Sequence, residues 1–281
     1  MRPLETGLFL TNLGIRDLPE ALKKAKEIGF NVVQLGPETY NGYNSAAKAE
    51  ELKKAIKYTG IYATTVFIGF QGEDYSDVPS VIRTVGFTAL DKIKERTEFS
   101  KKVVDFTAGI GVKIAAAHVG FIPEDENSDI YKAMLSAIGE VIDHCAKKNL
   151  LFTFETGQEK PEMLLKFIKK LNRKNAKVNF DTANLLLYGK AHSLDGIEIL
   201  KDYIVNVHVK DGYWPKEKDK IGEQAAIGQG EAKISECIKK LAAVGYKGPL
   251  IIEREAGEDR IGDILRAKQY IEKVKEEIGV R

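Results

Sequence analysis

The chain has 281 residues, of which 43% are hydrophobic and 30% are charged, and this balance excludes a disordered or fibrous protein. The 43 lysines and arginines barely outnumber the 41 aspartates and glutamates, so the basic excess typical of nucleic-acid-binding proteins is missing. No apolar run approaches the ~20 residues that span a bilayer, and the first residues lack the apolar stretch of a secretory signal. We therefore expect a cytoplasmic protein with neither a membrane nor a nucleic-acid partner.

Short apolar runs alternate with amphipathic runs along the whole chain. The apolar runs predict strands at residues 7–11, 31–35, 62–68, 113–118, 150–155, 177–181, 204–208 and 250–253. The amphipathic runs predict helices at about residues 17–28, 45–58, 89–108, 129–148, 161–173, 194–202, 233–244 and 260–277. Asp17 is suited to cap the first helix, and Gly29, Gly60, Gly109 and Gly245 fall just after predicted helix ends.

This alternation indicates an α/β protein in which right-handed crossovers join parallel strands. An open doubly wound sheet and a closed eight-stranded barrel both satisfy the pattern. Eight similar units without a linker favour the barrel. In addition, the first strand leads into Thr11-Asn12-Leu13-Gly14, which is not the glycine-rich turn of a dinucleotide-binding fold. We predict a single (β/α)8 TIM-barrel domain over residues 1–281, with the active site at its C-terminal face.

Two connections, at residues 69–87 and 209–232, are longer than a barrel requires. Loops of this length are usually functional, and both follow strands, so we expect them at the C-terminal face. The second loop contains Gly228-Gln229-Gly230, which we interpret as a turn into the next helix rather than as a phosphate cradle. Whether the substrate is phosphorylated stays open at this point.

The last five predicted strands each end on a side chain that can bind a metal or move a proton, namely His118, Glu155, Asp181, His208 and Glu253. Catalytic groups of TIM barrels lie at these strand ends. Three carboxylates and an imidazole at one barrel mouth would be unstable without a cation. Glu155, Asp181, His208 and Glu253 therefore predict a site for one divalent metal ion. The donor set suits Mn²⁺ or Mg²⁺, with Zn²⁺ and Co²⁺ as alternatives; salt bridges at the rim are the competing interpretation.

Four segments at these strand ends, FETGQE, NFDTAN, VNVHVKDG and IIEREAGED, resemble in this order the xylose isomerase-like superfamily of sugar isomerases and epimerases. HVGFIPED and AAVGYKGPLIIE extend the resemblance over nearly the whole chain. The resemblance implies a TIM barrel that holds one divalent ion with the four residues above. It also implies a small-molecule sugar substrate, and it leaves the oligomeric state open, with a homo-oligomer as one option.

The resemblance further implies which residues contact the substrate. His118 matches a substrate-contacting histidine, and Glu159 matches an acidic residue that touches the substrate in many epimerases. Lys210 and Asp211 follow the ligand of strand seven as in the H-x-K-D motif of relatives, with a local salt bridge as the alternative. Asn184 occupies a place where many relatives have histidine; its amide can hydrogen-bond a hydroxyl group of the substrate, but an amide is a poor ligand for a second metal. At the end of strand two, Gln34 stands where relatives often have glutamate.

A metal ion beside two glutamates on different strands suits proton transfer next to a carbonyl group. By resemblance, Glu155 and Glu253 are the catalytic pair on opposite sides of the substrate carbon. The predicted reaction is isomerisation or epimerisation of a keto-sugar or keto-polyol through an enediolate. Two alternatives stay open. A phosphodiester hydrolase of the endonuclease IV type would need more histidines than the four in this chain, and the intact ligand set argues against a non-catalytic sugar-binding barrel.

Overall fold

Eight parallel strands close into a barrel in the computed structural model, which describes residues 2–280. In chain order, β1 to β8 cover Thr6–Phe9, Val32–Leu35, Tyr62–Ile68, Ile114–Ala117, Leu151–Glu155, Ala176–Asp181, Ile204–Val209 and Leu250–Ile252. The barrel closes because β1 pairs with β8 on one side and with β2 on the other. This architecture confirms the predicted TIM barrel.

Within the described residues, each strand is followed by one longer helix. These helices, α1 to α8, cover Leu18–Glu27, Ala46–Thr59, Ile93–Gly109, Asp129–Lys147, Pro161–Leu171, Ser193–Leu200, Ile234–Ala243 and Arg260–Glu277. The connections also contain short helical segments that the sequence did not predict, at Leu10–Leu13, Glu38–Tyr43, Val78–Thr84 and Asn184–Leu187. No helix in residues 2–280 combines the length and the apolar character needed to cross a membrane.

Local sequence explains why these elements begin and pack as they do. The Asp17 side chain accepts a hydrogen bond from the backbone N–H of Glu20, so it caps α1 as predicted. In β1, a Cβ atom on Gly7 would lie 2.9 Å from the carbonyl oxygen of Val32. Glycine therefore allows these strands to approach each other. Both cysteines, Cys145 and Cys237, are free and buried.

The two long connections lie side by side above the carboxyl ends of the strands. The connection after β3 contains the helix Val78–Thr84, and the connection after β7 contains an antiparallel pair of short strands, Asp211–Gly212 with Gln224–Ala225. They meet where the backbone N–H of Val78 donates to the carbonyl oxygen of Asp219 at 3.0 Å. The loops therefore bridge the mouth of the barrel.

Candidate metal centre and substrate cavity

Four potential metal ligands come together at the carboxyl ends of consecutive strands. Glu155 and Asp181 are the last residues of β5 and β6, His208 is the penultimate residue of β7, and Glu253 directly follows β8. The strand register aligns Asp181 with His208. One ligand atom from each residue lies within 4.8 Å of the others, and all four residues are buried.

The spacing within this quartet is that of atoms around a common ion. His208 Nδ1 lies 2.9 Å from Glu155 Oε1, 2.8 Å from Glu253 Oε2 and 3.8 Å from Asp181 Oδ2. Two atoms bound at ~2.1 Å to one ion and roughly at right angles are about 3 Å apart. The four residues are therefore preorganised to surround one small cation.

Two carboxylate oxygens of the quartet accept no hydrogen bond of good geometry. Asp181 Oδ1 accepts from the backbone N–H groups of Ala183 and Asn184 at 2.7 Å each. By contrast, Asp181 Oδ2 and Glu253 Oε2 are buried and accept no hydrogen bond of good geometry from the described residues, and their close neighbours are the cationic groups of Lys210 and His208. A buried oxygen that loses its hydration in this way is costly unless another partner replaces the water. A divalent cation would be such a partner, so the residues present fit the predicted ion.

In the metal-free chain, the charges of the quartet are balanced by protons and by one lysine. Burial raises the pKa of Asp181 to about 8. Burial opposes charge on His208, but Glu155 and Glu253 outweigh it and raise the pKa of the imidazole well above its ordinary value. Burial would also raise the pKa of Glu253, yet Lys210 and His208 hold it well below its usual range. A bound cation would replace the protons, because metal ligands bind in their deprotonated forms.

Lys210 is a buried cation that touches both the quartet and the rim. Its Nζ lies 3.0 Å from Glu253 Oε2, 3.6 Å from Asp181 Oδ2 and 3.5 Å from Glu255 Oε2. It also donates to Asn184 Oδ1 at 3.4 Å. Lys210 therefore offsets the surplus negative charge of the carboxylates.

Three amide side chains beneath the quartet orient the ligands. Gln34 Oε1 lies 2.7 Å from His208 Nε2, and Gln34 Nε2 donates to Asn179 Oδ1 at 3.2 Å. Asn206 also donates to Asn179 Oδ1, and Asn179 Nδ2 donates to Glu155 Oε2. Because an amide oxygen can only accept, His208 Nε2 carries a hydrogen and Nδ1 is the nitrogen available to an ion.

These amides are not among the predicted site residues, although one feature of the sequence points to two of them. Asn179 and Asn206 each stand two residues before a quartet residue, Asp181 and His208, in strands whose remaining residues are apolar except for Lys177. Residues two apart in a strand share a face, so each amide points into the barrel beside its ligand. The strand pairing is irregular at Val33/Gln34 and at Val178/Asn179. Such irregularities often redirect side chains near active sites.

A cavity of about 1280 Å³ opens above the quartet. Its wall includes five residues from the predicted site, namely His118, Glu155, Asn184, Lys210 and Glu253. Asp181 and His208 lie behind the wall. The rings of Phe9 and Phe67, which also line the cavity, pack against His208 with centroid separations of 5.4 Å and 5.3 Å.

Two residues that the resemblance assigned to substrate contact lie outside the cavity wall. Asp211 faces the turn before α7, where its carboxylate accepts hydrogen bonds from the backbone N–H groups of Gly212, Gly228, Gly230 and Ala232. Through these four hydrogen bonds, Asp211 stabilises the conformation of the loop. Glu159 is 6% exposed, and burial raises its pKa to about 8. Glu159 is therefore enclosed by protein at the start of the connection to α5.

Comparison with known proteins agrees with this fold. A family model described as xylose isomerase-like TIM barrel matches residues 22–274. The uncharacterised protein YihM of Escherichia coli K12 is 26% identical over 166 residues, and this match spans 58% of the chain but only 51% of YihM. L-ribulose-5-phosphate 3-epimerase UlaE of Escherichia coli SMS-3-5 is 21% identical over 90% of the chain and 88% of UlaE. A xylose isomerase domain protein from Planctomyces limnophilus has a TM-score of 0.86 and 29% identity, covering 92% of both chains.

Proposed function

The chain belongs to the xylose isomerase-like TIM-barrel family, and we propose that it is a divalent-metal-dependent isomerase or epimerase of sugars that acts in the cytoplasm. The observation that carries this proposal is the buried quartet of Glu155, Asp181, His208 and Glu253 beneath a large cavity. The relative UlaE is named as an epimerase of a keto-sugar phosphate, which supports the class of reaction.

The four quartet residues would hold the ion, but only two of them face the substrate. A divalent ion supplies Lewis-acid polarisation of a carbonyl oxygen when it is bound. Glu155 and Glu253 line the cavity, whereas Asp181 and His208 do not. Glu155 and Glu253 are therefore the groups that can remove a proton from the substrate and return it. Since they come from β5 and from the end of β8, they approach the cavity from different strands.

Other residues of the wall would orient the substrate. Lys210 Nζ can donate to a substrate oxygen while it keeps Glu253 ionised at 3.0 Å. His118 and Asn184 also line the cavity and offer hydrogen-bonding groups. Phe9 and Phe67 pack against the His208 ring and give the cavity wall an apolar part beside the quartet. We assign Lys210, His118 and Asn184 to substrate binding on this basis.

The remaining histidines do not support a multi-metal phosphodiester hydrolase. His144 Nε2 lies 2.9 Å from Asp105 on the outer helices. The His192 ring packs against Trp214 with a centroid separation of 5.1 Å. Neither residue lines the large cavity. Within residues 2–280, the quartet is the only group of potential ligands that converges in this way.

Solvent exchange tests the proposal directly. We expect the purified protein with Mn²⁺, Mg²⁺, Zn²⁺ or Co²⁺ to introduce deuterium from D₂O next to the carbonyl of at least one ketose or keto-inositol, as measured by NMR. Glu155→Gln and Glu253→Gln should each lower the exchange rate by at least ~100-fold, the usual range for a lost acid–base group. Glu50→Gln, an exposed position on α2, is the matched control. Absence of exchange with every metal and sugar would favour a non-catalytic sugar-binding barrel.

A further inference from the structure

The wall of the cavity carries more carboxylates than cations. Besides Glu155 and Glu253, four glutamates line it, namely Glu38, Glu73, Glu95 and Glu255. Three cationic side chains line it as well, namely Lys92, Arg96 and Lys210. The volume of about 1280 Å³ admits sugars of very different size. Charge is therefore a sharper guide to the substrate than volume.

Two of the three cations already have partners within the protein, and the charge of Lys210 is offset by carboxylates even though its Nζ can still donate to a hydroxyl oxygen. Lys210 is surrounded by the carboxylates of Asp181, Glu253 and Glu255. Arg96 is only 3% exposed, donates to the carbonyl oxygen of Gly86 and lies over the Phe70 ring at 4.9 Å. Its Nη2 has no partner, but this atom is fully buried and a ligand in the cavity cannot reach it.

Lys92 is the remaining cation, and it is an exposed residue of the cavity wall, three positions before the exposed Glu95. A phosphate monoester carries a charge of about −1.5 to −2 at neutral pH and needs strong donors for its three oxygens. One solvated lysine does not form such a site, because water and salt screen an exposed charge and it contributes little binding energy.

The backbone donors of the turn after β7 are occupied by a side chain of the protein itself. TIM barrels commonly bind phosphate through the loops that follow strands seven and eight. Here the turn after β7 presents the N–H groups of Gly228, Gly230 and Ala232 to the Asp211 carboxylate at 2.9, 3.0 and 3.1 Å. A Cβ on Gly230 would lie 2.3 Å from Asp211 Oδ1, so glycine is required for this close approach. In this turn, the Asp211 carboxylate therefore occupies the position that a bound anion would take.

We infer that the substrate is an uncharged polyhydroxy ketone rather than a phosphate ester or a sugar acid. This inference rests on the proposed function. The cavity offers neutral hydrogen-bonding side chains that suit hydroxyl groups, namely Thr11, Asn41, Gln71, Asn184 and Gln224. Because carboxylates lie on several sides of the wall, an anionic substrate would be placed among like charges. This is unfavourable in a partly desolvated site.

Matched pairs of sugars test the inference. Ketopentoses and ketohexoses are compared with their terminal phosphates in D₂O, with Mn²⁺ in excess over phosphate. We expect kcat/KM for deuterium exchange to be at least ~100-fold higher for the free sugar, equivalent to ~2.7 kcal/mol. Equal or faster exchange of the phosphate ester would overturn this inference while leaving the proposed function intact. No exchange of either form would overturn the proposed function, and this inference with it.

The wall charge can be altered at one exposed position. Glu95→Lys on α3 should lower the preference for free sugar, whereas Glu98→Lys, one turn further along the same helix and outside the cavity wall, should not. If both variants keep the wild-type ratio, the wall charges do not set the selectivity and the inference fails.

Inorganic phosphate gives a readout that does not depend on activity. We expect the chelator-treated protein to unfold at the same temperature in sodium phosphate and in sodium chloride of equal ionic strength. A rise in Tm that saturates at millimolar phosphate would reveal an anion site and overturn the inference, because a ligand that binds only the native state stabilises it.

Discussion

Replacing Gln34 by leucine should weaken metal binding although Gln34 is not a ligand. Gln34 Oε1 lies 2.7 Å from His208 Nε2, and this contact keeps the hydrogen on Nε2 and the lone pair on Nδ1. Leucine has a similar volume but no acceptor. In Gln34→Leu, the imidazole would therefore lose the partner that fixes its tautomer and its orientation.

The expected loss follows from the burial of this contact. When a histidine ligand loses the hydrogen-bond partner of its other ring nitrogen, metal affinity typically falls by ~10–100-fold. This loss corresponds to ~1.4–2.7 kcal/mol. Because Gln34 and His208 are 0% and 1% exposed, water cannot replace the lost acceptor. A buried N–H without a partner costs about 1–3 kcal/mol, so the metal-free variant should also unfold at lower denaturant concentration.

Titration with Mn²⁺, followed by the EPR signal of the free ion, measures the dissociation constant. Gln269→Leu is the matched control, because Gln269 is exposed on α8 and outside the site. Circular dichroism checks that both variants keep the fold. If Gln34→Leu binds Mn²⁺ within twofold of the wild-type affinity, the second nitrogen of His208 does not govern the site and the reasoning is refuted.

Three further predictions concern stability. The folded pKa of Glu159 is about 8 against an ordinary value of 4.5, because burial favours the neutral acid; the native state therefore holds a proton that the unfolded chain releases, and stability falls as the pH rises from 4.5 towards 8. Glu159→Gln should abolish this fall, which amounts to about 5 kcal/mol at most. Urea unfolding at pH 5.5 and 8.5 measures it, and the prediction is wrong if the unfolding free energy changes equally in both proteins between these pH values. Asp211→Asn replaces an acceptor with a donor against the N–H groups of Gly228 and Gly230, so it should lower the unfolding free energy by about 1–3 kcal/mol; an unchanged Tm would count against the role of Asp211 in holding this turn. Mn²⁺ at 100 times its dissociation constant should stabilise the chain by about 2.7 kcal/mol, and chelation should reverse the gain; a Tm that does not respond would argue against an ion in the quartet.

The barrel and the position of the quartet could be predicted from the sequence because both depend on local patterns. Apolar runs and amphipathic runs define each strand and helix separately, and the third predicted strand, at residues 62–68, has the observed bounds of β3. In a parallel barrel all carboxyl ends of strands lie at one face. The topology therefore brings Glu155, Asp181, His208 and Glu253 to one end without any knowledge of side-chain packing.

Contacts that depend on the path of the loops and on barrel closure could not be predicted in this way. Asp211 follows a ligand closely in sequence, but the pairing of Asp211–Gly212 with Gln224–Ala225 sets the path of the loop and brings the turn before α7 to its carboxylate. Glu159 is 6% exposed although it stands in the short connection between β5 and α5. Gln34 and His208 are 174 residues apart in sequence, and only the closed barrel shows that their side chains touch.

The amide side chains that contact the quartet carry no charge, and this suits a single divalent ion. Gln34, Asn179 and Asn206 orient His208 and Glu155 through amide groups, so they add no charge to the three carboxylates of the quartet. With carboxylates in their place, the buried negative charge would exceed what one divalent ion and Lys210 can offset, and such uncompensated charge is strongly destabilising. A quartet with one ion and Lys210 is close to neutral and has no positive charge to spare for an anionic substrate. The same balance that favours one ion therefore favours a substrate that binds through its hydroxyl and carbonyl groups.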